Sequence, residues 1–250
     1  MINEYRRKVA IITGSGGGIG EVMANLFSSK GISTVVADID IDKAEKVAQE
    51  INQINGNGIA VKVDVTNRKD VEMMVENTIK TFGRLDILIN NAGIHYITPI
   101  EDVPDEEWNS ILAVNVKGVY NCSKFVIPPM KKNRWGRIIN ISSSAGKTGG
   151  RLSSIHYAAS KAAVIGMTKS FATHLAPYNI TVNSVCPGGV NAGGFLDLPE
   201  EVRQKAIDTV PLRRFAEPIE IAQAALFLSS EEASYITGES LDVNGGTVMD

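Results

Sequence analysis

Val9-Ala10-Ile11-Ile12-Thr13-Gly14-Ser15-Gly16-Gly17-Gly18-Ile19-Gly20 is the stretch on which the reading of this chain turns. A β-branched run, Val9–Ile12, ends in a cluster of glycines. From Gly20 to Lys30 apolar residues then return at helical spacing through Val22, Leu26 and Phe27. Glycine lets a backbone approach a pyrophosphate closely, and a helix N-terminus offers free N–H groups with a partial positive charge. Strand, turn and helix together read as a dinucleotide site rather than a plain glycine-rich loop, because an acid also ends the next strand.

Outward from that turn the same alternation continues. Val35–Ala37 ends at Asp38, and Asp42 to Ile54 follows as a helix with Ala44, Val47, Ala48 and Ile51 on one face. Ile59–Val63 ends at Asp64, and a helix follows from Val71 to Phe82. Leu85–Ile89 ends in Asn90-Asn91-Ala92-Gly93, and Trp108 to Met130 carries one long helical pattern. Arg137–Ile141 ends at Ser142-Ser143-Ser144, with a helix from Tyr157 to Ala176 behind it. Ile180–Val185 ends at Cys186-Pro187-Gly188, Ile219 to Leu228 is helical, and Ser240–Val243 closes the series. Strands covered on both faces read as continuous apolar runs, and parallel strands need crossovers of this length. The pattern predicts an α/β fold: a doubly wound, parallel, seven-stranded sheet of Rossmann type. No linker-like composition divides residues 1–250, so one domain is expected to bind cofactor and substrate. In such sheets ligands sit beyond the carboxyl ends of the strands, which makes the residues just after each strand the candidates.

Composition narrows the functional classes. Among 250 residues, 44% hydrophobic and 21% charged is ordinary globular usage, and a net charge of −3 leaves no footprint for nucleic acid. Two cysteines, Cys122 and Cys186, are too few for a disulfide framework and suit a reducing cytoplasm. His95, His156 and His174 stand too far apart for metal-ligand spacing, so no metal is expected. The apolar stretch after the N-terminal basic residues is too short for a signal peptide. No run approaches the ~20 apolar residues that a membrane helix needs. The basic run Lys131, Lys132, Arg134 and Arg137 reads as a solvated loop face in preference to a docking site for an acyl carrier.

Two positions carry specific chemistry. A carboxylate at Asp38 can accept hydrogen bonds from the adenosine ribose of NAD and repel the extra phosphate of NADP. No Arg or Lys lies between Gly14 and Gly20 or immediately after Asp38 to offset it, so NAD is the expected cofactor. In Tyr157-Ala158-Ala159-Ser160-Lys161, positions i and i+4 share a helix face. A free tyrosine, with a pKa near ~10, is a poor base at neutral pH. A lysine ammonium and an oxidised nicotinamide both favour its phenolate. Tyr157 can then take a proton from an alcohol, or return it when a ketone is reduced. The serines ending the preceding strand, Ser142, Ser143 and Ser144, offer three partner candidates. Asp64 reads equally as a cofactor contact or as a cap for the helix beginning near Asn67.

The stretch T-G-x-x-x-G-x-G, with N-A-G at Asn91–Gly93 and Y-x-x-x-K at Tyr157–Lys161, resembles the short-chain dehydrogenase/reductase family in its compact branch. The resemblance runs from about Lys8 to the closing Ile236-Thr237-Gly238 and Asn244-Gly245-Gly246. It implies that Gly14, Gly18 and Gly20 shape the turn while Ser15, Gly17 and Ile19 lie along the cofactor. Asp64 and Val65 would flank the adenine, and Asn91, Ala92 and Gly93 would pass close to the cofactor. Aligning Asn140 and Gly146 on the family pattern selects Ser143 as the catalytic serine, whereas the usual interval to Tyr157 selects Ser144. Asn115, in Asn115-Val116-Lys117-Gly118, resembles the family asparagine whose helix distortion holds a water linked to Lys161. Pro187, Gly188 and Val190 would meet the nicotinamide, with Ala192 where a threonine is usual. Asn191 to Arg214, with Gly193, Gly194, Phe195 and Pro199, reads as a lid that closes on substrate. His95 and Tyr96 are candidates to line the pocket, and His156 is expected to face away from Tyr157.

The resemblance implies an oxidoreductase that moves a hydride between NAD and a secondary alcohol, polyol or sugar, or the corresponding ketone. A 3-oxoacyl-[acyl-carrier-protein] reductase and a non-catalytic NAD sensor are the alternatives. An extended-branch epimerase would need a longer chain. Family members are usually tetramers, and Ala158, Ala162, Gly166 and Phe171 would suit close helix packing.

Overall fold

The computed structural model describes residues 5, 7–150, 153–193 and 199–249. Strands β1 (Val9–Thr13), β2 (Ser33–Asp38), β3 (Gly58–Lys62), β4 (Ile87–Asn90), β5 (Gly136–Ile141), β6 (Ile180–Pro187) and β7 (Ser240–Val243) form one sheet. Their order is β3-β2-β1-β4-β5-β6-β7, and all neighbouring pairs are parallel. The helices are α1 (Gly18–Ser29), α2 (Ile41–Gln53), α3 (Arg68–Phe82), α4 (Asp105–Leu112), α5 (Val119–Asn133), α6 (Ala145–Thr148), α7 (Ile155–Leu175), α8 (Glu200–Asp208) and α9 (Pro218–Leu228).

The pleat explains why the strands read as unbroken apolar runs. Ile12, Val36, Ile89 and Ile139 face one side, where they meet Met23 and Phe27 of α1, Val47 and Ile51 of α2, and Ile221 of α9. Their neighbours Ile11, Val35, Leu88 and Ile138 face the other side, against Val71 and Met74 of α3, Val126 of α5 and Leu175 of α7. Each such fully buried side chain contributes about 1.5–3 kcal/mol. The chain winds outward from β1 to β3, then crosses back to β4 and winds the other way. The strand order therefore reverses between β1 and β4, and the crevice at their carboxyl ends is the expected ligand site.

One sequence expectation fails here. Trp108 to Met130 is not a single helix: α4 ends at Leu112, a π-helical turn spans Ala113–Gly118, and α5 begins at Val119. The cause lies on both sides of the wide turn. The Asn115 side chain leaves the helix to bond the Ile94 main chain, and Gly118 lies so close to Val65 that a Cβ there would stand 2.7 Å from Val65 Cγ2. Apolar spacing resumes on the same face afterwards, so periodicity hides the insertion.

The opposite edge of the sheet is closed by ion pairs. Fully buried Asp86 receives two hydrogen bonds from Arg84, at 2.7 and 2.6 Å, and one from Val9 N at 2.9 Å. Arg137, the second residue of β5, is wholly buried, donating to Ser230 O, Gly136 O and Glu231, so it does not belong to a solvated face. Lys131 sits over the Tyr178 ring at 4.0 Å, and Arg134 donates to Pro177 O. This basic run stands at the far end of the sheet from Tyr157. Cys122 and Cys186 are buried free thiols, and burial pushes Cys122 up to about 12. Among the described residues no helix is long and apolar enough to cross a membrane, and no cluster of His, Cys, Asp and Glu has the makings of a metal site.

Candidate active site

The glycine turn divides into positions that pack and positions that stay open. A Cβ on Gly14 would lie 2.7 Å from Ala92 Cα, and one on Gly20 would lie 2.2 Å from Gly14 O. Gly14 and Gly18 also have φ of +63° and +59°, which side-chain-bearing residues rarely adopt. Gly17 and Gly18, by contrast, face empty space within 4 Å of where a Cβ would be. Helix α1 starts at this gap with no side chain capping its first N–H groups. Free amide donors over an open hollow fit the pyrophosphate of a dinucleotide. Ser15 departs from its expected place along the cofactor. Its side chain is fully buried, donating to Ile12 O at 2.7 Å and accepting from Ala37 N at 3.1 Å, because β1 and β2 diverge there and leave main-chain groups to satisfy. The Ser15 backbone N–H is engaged as well, donating to Ala37 O at 3.3 Å.

Asn91 is a clamp on this turn. Its amide donates to Thr13 O and Gly14 O at 3.0 and 2.9 Å, while Thr13 Oγ1 accepts from Asn91 N and Ala92 N. Thr13 was not singled out in the sequence, although a hydroxyl at the very end of β1 is suited to this task.

Asp38 stands where the sequence predicts, at the end of β2. One carboxylate oxygen accepts from Gly16 N at 2.9 Å and the other from Asp40 N at 3.0 Å, which leaves further lone pairs on both. A lysine is nearby after all: Lys43, on the first turn of α2, has its Cβ 2.8 Å from where a Gly16 Cβ would be. Its ammonium lies 3.3 Å from Asp40 and is largely exposed. Asp64 does not cap α3; Asn67 does, accepting from Lys69 N, while Asp64 accepts twice from Thr66. Val65 is buried, and its carbonyl accepts from Asn121.

The remaining candidates converge at the ends of β4, β5 and β6. Tyr157 and Lys161 share a face of α7, with the Lys161 ammonium 5.6 Å from the Tyr157 ring centre. Ser143 reaches the Tyr157 hydroxyl and also accepts from Ala145 N, whereas Ser142 is turned inward, donating to Lys161 O at 2.9 Å. Of the two serines left open by the sequence, Ser143 is the one that acts on the phenol, opposing the effect of its burial. Burial pushes Tyr157 above the usual phenol value, with the Ser143 contact opposing it. The depressed value expected from the sequence is therefore not a property of the protein by itself. Burial also lowers Lys161 to about 8, so the lysine supplies its full charge only below that pH. The ammonium donates to Ile141 O at 2.8 Å. Asn115, buried in the π turn, accepts from Ile94 N at 2.9 Å and donates to Ile94 O and Ser160 Oγ. Gly93 lies between the two: a Cβ there would be 3.3 Å from Asn115 Oδ1 and 3.6 Å from Lys161 Nζ.

Behind Ser143, Lys147 of α6 reaches β7, 2.6 Å from Asp242, and also donates to Ser240 O. This largely buried pair had no signal in the sequence because its partners stand 95 positions apart and belong to no shared motif or period. On the β6 side of the crevice, the strand ends at Pro187, Gly188 N donates to Val243 O, and buried Val190 pairs with Ala216. Asn191 donates to Glu217 and accepts from Arg203 of α8. Gly194 and Phe195, part of the expected lid, lie outside the described residues; α8 is the short helix expected after Pro199.

The loop after Gly93 was only partly foreseen. His95 packs edge-on against the Tyr157 ring, with centres 4.6 Å apart. His156 faces away from Tyr157 but is not a surface residue. It is fully buried between Tyr96 and Trp108, with Nε2 2.8 Å from Glu107 Oε1. Thr98 donates to the same carboxylate oxygen at 2.6 Å. Of the face suggested for helix packing, Ala158 belongs to this chain's own core, while Ala162 and Gly166 are exposed.

A doubly wound parallel sheet with an open phosphate turn and a Ser-Tyr-Lys group at its carboxyl edge defines a nicotinamide-linked oxidoreductase. The family model described as enoyl-(acyl carrier protein) reductase matches residues 14–248. The 3-oxoacyl-[acyl-carrier-protein] reductase FabG of Thermotoga maritima is 40% identical over 242 residues, covering 97% of this chain and 98% of that one. Oxidoreductase UcpA of Salmonella typhimurium is 38% identical over 250 residues, with 97% and 95% covered. A crystal structure of a 3-oxoacyl-[acyl-carrier protein] reductase with bound NAD from Brucella melitensis superposes with a TM-score of 0.92 at 31% identity, over 99% of this chain and 94% of that one. The chain belongs to the short-chain dehydrogenase/reductase family.

Proposed function

We propose that this chain reduces the 3-oxo group of an acyl thioester to the 3-hydroxy group, and catalyses the reverse, with NAD(H) as cofactor. This ranks the reductase reading of the sequence above the polyol reading. The observation that carries the reaction type is the placement of the Lys161 ammonium 5.6 Å from the Tyr157 ring on one face of α7, with Ser143 acting on the same phenol. Relatives named as 3-oxoacyl reductases, matched over nearly the whole chain, support the substrate class. Asp38, held by two amides at the adenosine end, supports NAD.

When bound, the nicotinamide supplies or accepts the hydride. In the proposed roles, the Gly14–Gly20 turn and the α1 N-terminus hold the pyrophosphate, and Asp38 holds the ribose. Asp64 and Val65 flank the adenine; Asn91, Ala92 and Gly93 line the floor; Pro187, Gly188 and Val190 meet the carboxamide end. Ser143 donates a hydrogen bond to the ketone oxygen. Tyr157, a neutral phenol because burial raises its pKa, gives its proton to that oxygen as the carbon is reduced. Lys161 stabilises the phenolate left behind, and Asn115 holds the loop that faces it. Both Tyr157 and Lys161 are present, which disfavours a silent NAD sensor. A homotetramer in a reducing cytoplasm completes the reading, supported by outward-facing Ala162 and Gly166 of α7 and by the free thiols.

A second reading, oxidation of a small secondary alcohol, polyol or sugar, is favoured by Asp38, since biosynthetic reductases usually prefer NADP. The test is to follow reduced-nicotinamide absorbance with an acetoacetyl thioester and with a panel of polyols and sugars, using NAD(H) and NADP(H). Thioester reduction by NADH, lowered ~10²–10⁴-fold in Tyr157→Phe, is the expected result. Turnover of a polyol with none of the thioester would replace the first reading with the second.

A further inference from the structure

We propose that His95 is a substrate-binding residue that reads a second oxygen of the substrate, the thioester carbonyl of a 3-oxoacyl group, while Ser143 and Tyr157 engage the reacting one. The proposal rests on the 3-oxoacyl reading given above and identifies the residue that would enforce it.

The argument begins with what holds the loop. Asn115 binds both main-chain groups of Ile94, at 2.9 and 3.0 Å, so the residue before His95 is fixed from below. Ser154, just ahead of α7, donates to Tyr96 O at 2.9 Å, so the residue after it is fixed as well. The Tyr96 ring lies over buried His156, centres 6.2 Å apart and nearly parallel, and Thr98 is tied to Glu107 at 2.6 Å. The loop's main chain is therefore anchored on both sides of position 95 by buried groups. The side chain that these anchors present is treated differently. The imidazole stands edge-on to the Tyr157 ring at 4.6 Å, is exposed, and has no hydrogen-bond partner for either nitrogen among the described residues.

A rigid loop that presents an unengaged donor–acceptor ring beside the reacting phenol suits recognition better than packing. A molecule whose ketone oxygen meets Tyr157 must pass beside this ring. In a 3-oxoacyl thioester the second carbonyl is separated from the reacting one by a single methylene, so the two oxygens can meet two adjacent rings. A neutral imidazole donates through one nitrogen and accepts through the other, so it can bind that carbonyl or, in the product, keep the same contact. Partial desolvation beside the Tyr157 ring, with smaller contributions from His156 and Lys161, holds the His95 pKa below its ordinary value, which favours the neutral ring.

The alternative is that His95 merely buttresses Tyr157 through ring contact, and two variants separate these roles in opposite directions. His95→Phe keeps an aromatic ring and loses the hydrogen bond; His95→Gln keeps a hydrogen-bonding group and loses the ring. With an acetoacetyl thioester and NADH, the expected result is a rise of roughly tenfold or more in KM for His95→Phe with kcat changed little, and a KM within about threefold of wild type for His95→Gln, as one neutral hydrogen bond of ~1.4 kcal/mol implies. The reverse order, with Phe near wild type and Gln impaired mainly in kcat, would overturn the proposal and make His95 a support for Tyr157. Failure of the wild type to reduce the thioester while it turns over another ketone would overturn the reaction assignment itself. The same two variants, measured on that ketone, would then be expected to behave alike, and the reading of His95 would fall with it.

Discussion

Removing the charge at Asp38 should shift the enzyme toward NADP by a predictable amount. The carboxylate cannot swing away from an incoming phosphate, because Gly16 N and Asp40 N hold its two oxygens at 2.9 and 3.0 Å. Two unit charges ~5 Å apart interact by about 3 kcal/mol at an effective permittivity of 20 and by about 1 kcal/mol in water. Asp38 is half-buried, so a value near ~2 kcal/mol is appropriate, or roughly 30-fold in the ratio of kcat/KM for NADPH over NADH. Lys43 adds to the effect. Its stem lies against Gly16, and its exposed ammonium is engaged only with Asp40 at 3.3 Å. Once Asp38 is neutral, that ammonium is free to pair with the phosphate.

The assay is the ratio of kcat/KM for the two reduced cofactors with one ketone, in wild type, Asp38→Asn, Asp38→Ala and Asp38→Ala/Lys43→Gln. Asparagine retains an acceptor for Gly16 N, so it isolates charge from the support of the turn. Both single variants should raise the ratio about 30-fold, and the double variant should give back part of the gain. A ratio that moves less than about threefold in both singles, with unchanged thermal unfolding, would refute the electrostatic reasoning. Equal loss with both cofactors would assign Asp38 to holding Gly16 alone.

Three further outcomes are expected. Ser143→Ala should lower kcat by about 10²-fold while Ser144→Ala stays within about threefold, since only Ser143 contacts the Tyr157 hydroxyl; equal losses would return the choice to the loop geometry. Lys161 carries its charge below a pKa of about 8, so kcat/KM for ketone reduction should hold at lower pH and decline as pH rises through 8, and Lys161→Met should remove that limb along with most activity. Lys147→Met should destabilise the fold by about 2–3 kcal/mol, or ~5–10 °C in Tm, because it leaves Asp242 without the ammonium 2.6 Å away in a largely buried position; an unchanged Tm would show that this carboxylate is adequately solvated.

The sheet was readable because its strands are covered on both faces, so Ile11 and Ile12, or Leu88 and Ile89, are apolar side by side while serving opposite layers. Tyr157, Lys161, Asp38 and the glycines were readable because strand ends and helical i, i+4 spacing give their neighbourhood directly. What escaped is set by contacts across long stretches of chain. The π turn at Asn115, which the family resemblance anticipates but the apolar period does not show, exists because a main chain 21 residues earlier takes its side chain. Ser15 turns inward because Ala37 N needs an acceptor, His156 is buried because Tyr96 and Trp108 close over it, and Arg137 is buried because Ser230 and Glu231 receive it. None of these leaves a local signature in composition or period.

The same contacts separate residues that build the site from residues available to act in it. Thr13, Ser15, Asn91, Asn115 and Ser142 look like catalytic or binding side chains by type, yet each is bonded to the protein's own main chain: Thr13 to Ile89, Asn91 and Ala92, Asn91 to Thr13 and Gly14, Ser15 between β1 and β2, Asn115 to Ile94 and Ser142 to Lys161. A polar group so engaged has little capacity left for a ligand. The groups with capacity to spare are few: Asp38 with lone pairs beyond its two amides, Lys161 with donors beyond the one directed to Ile141, the Ser143–Tyr157 pair, and His95 with both nitrogens. In the proposed function, Ser143, Tyr157 and Lys161 would carry hydride-linked proton transfer, and Asp38 would set the choice of cofactor. His95 is the one left over, and a reaction on a substrate with a single oxygen would give it nothing to bind. A 3-oxoacyl group and a polyol both carry a second oxygen near the first, so the His95 variants, read on each substrate, assign the imidazole to one of them.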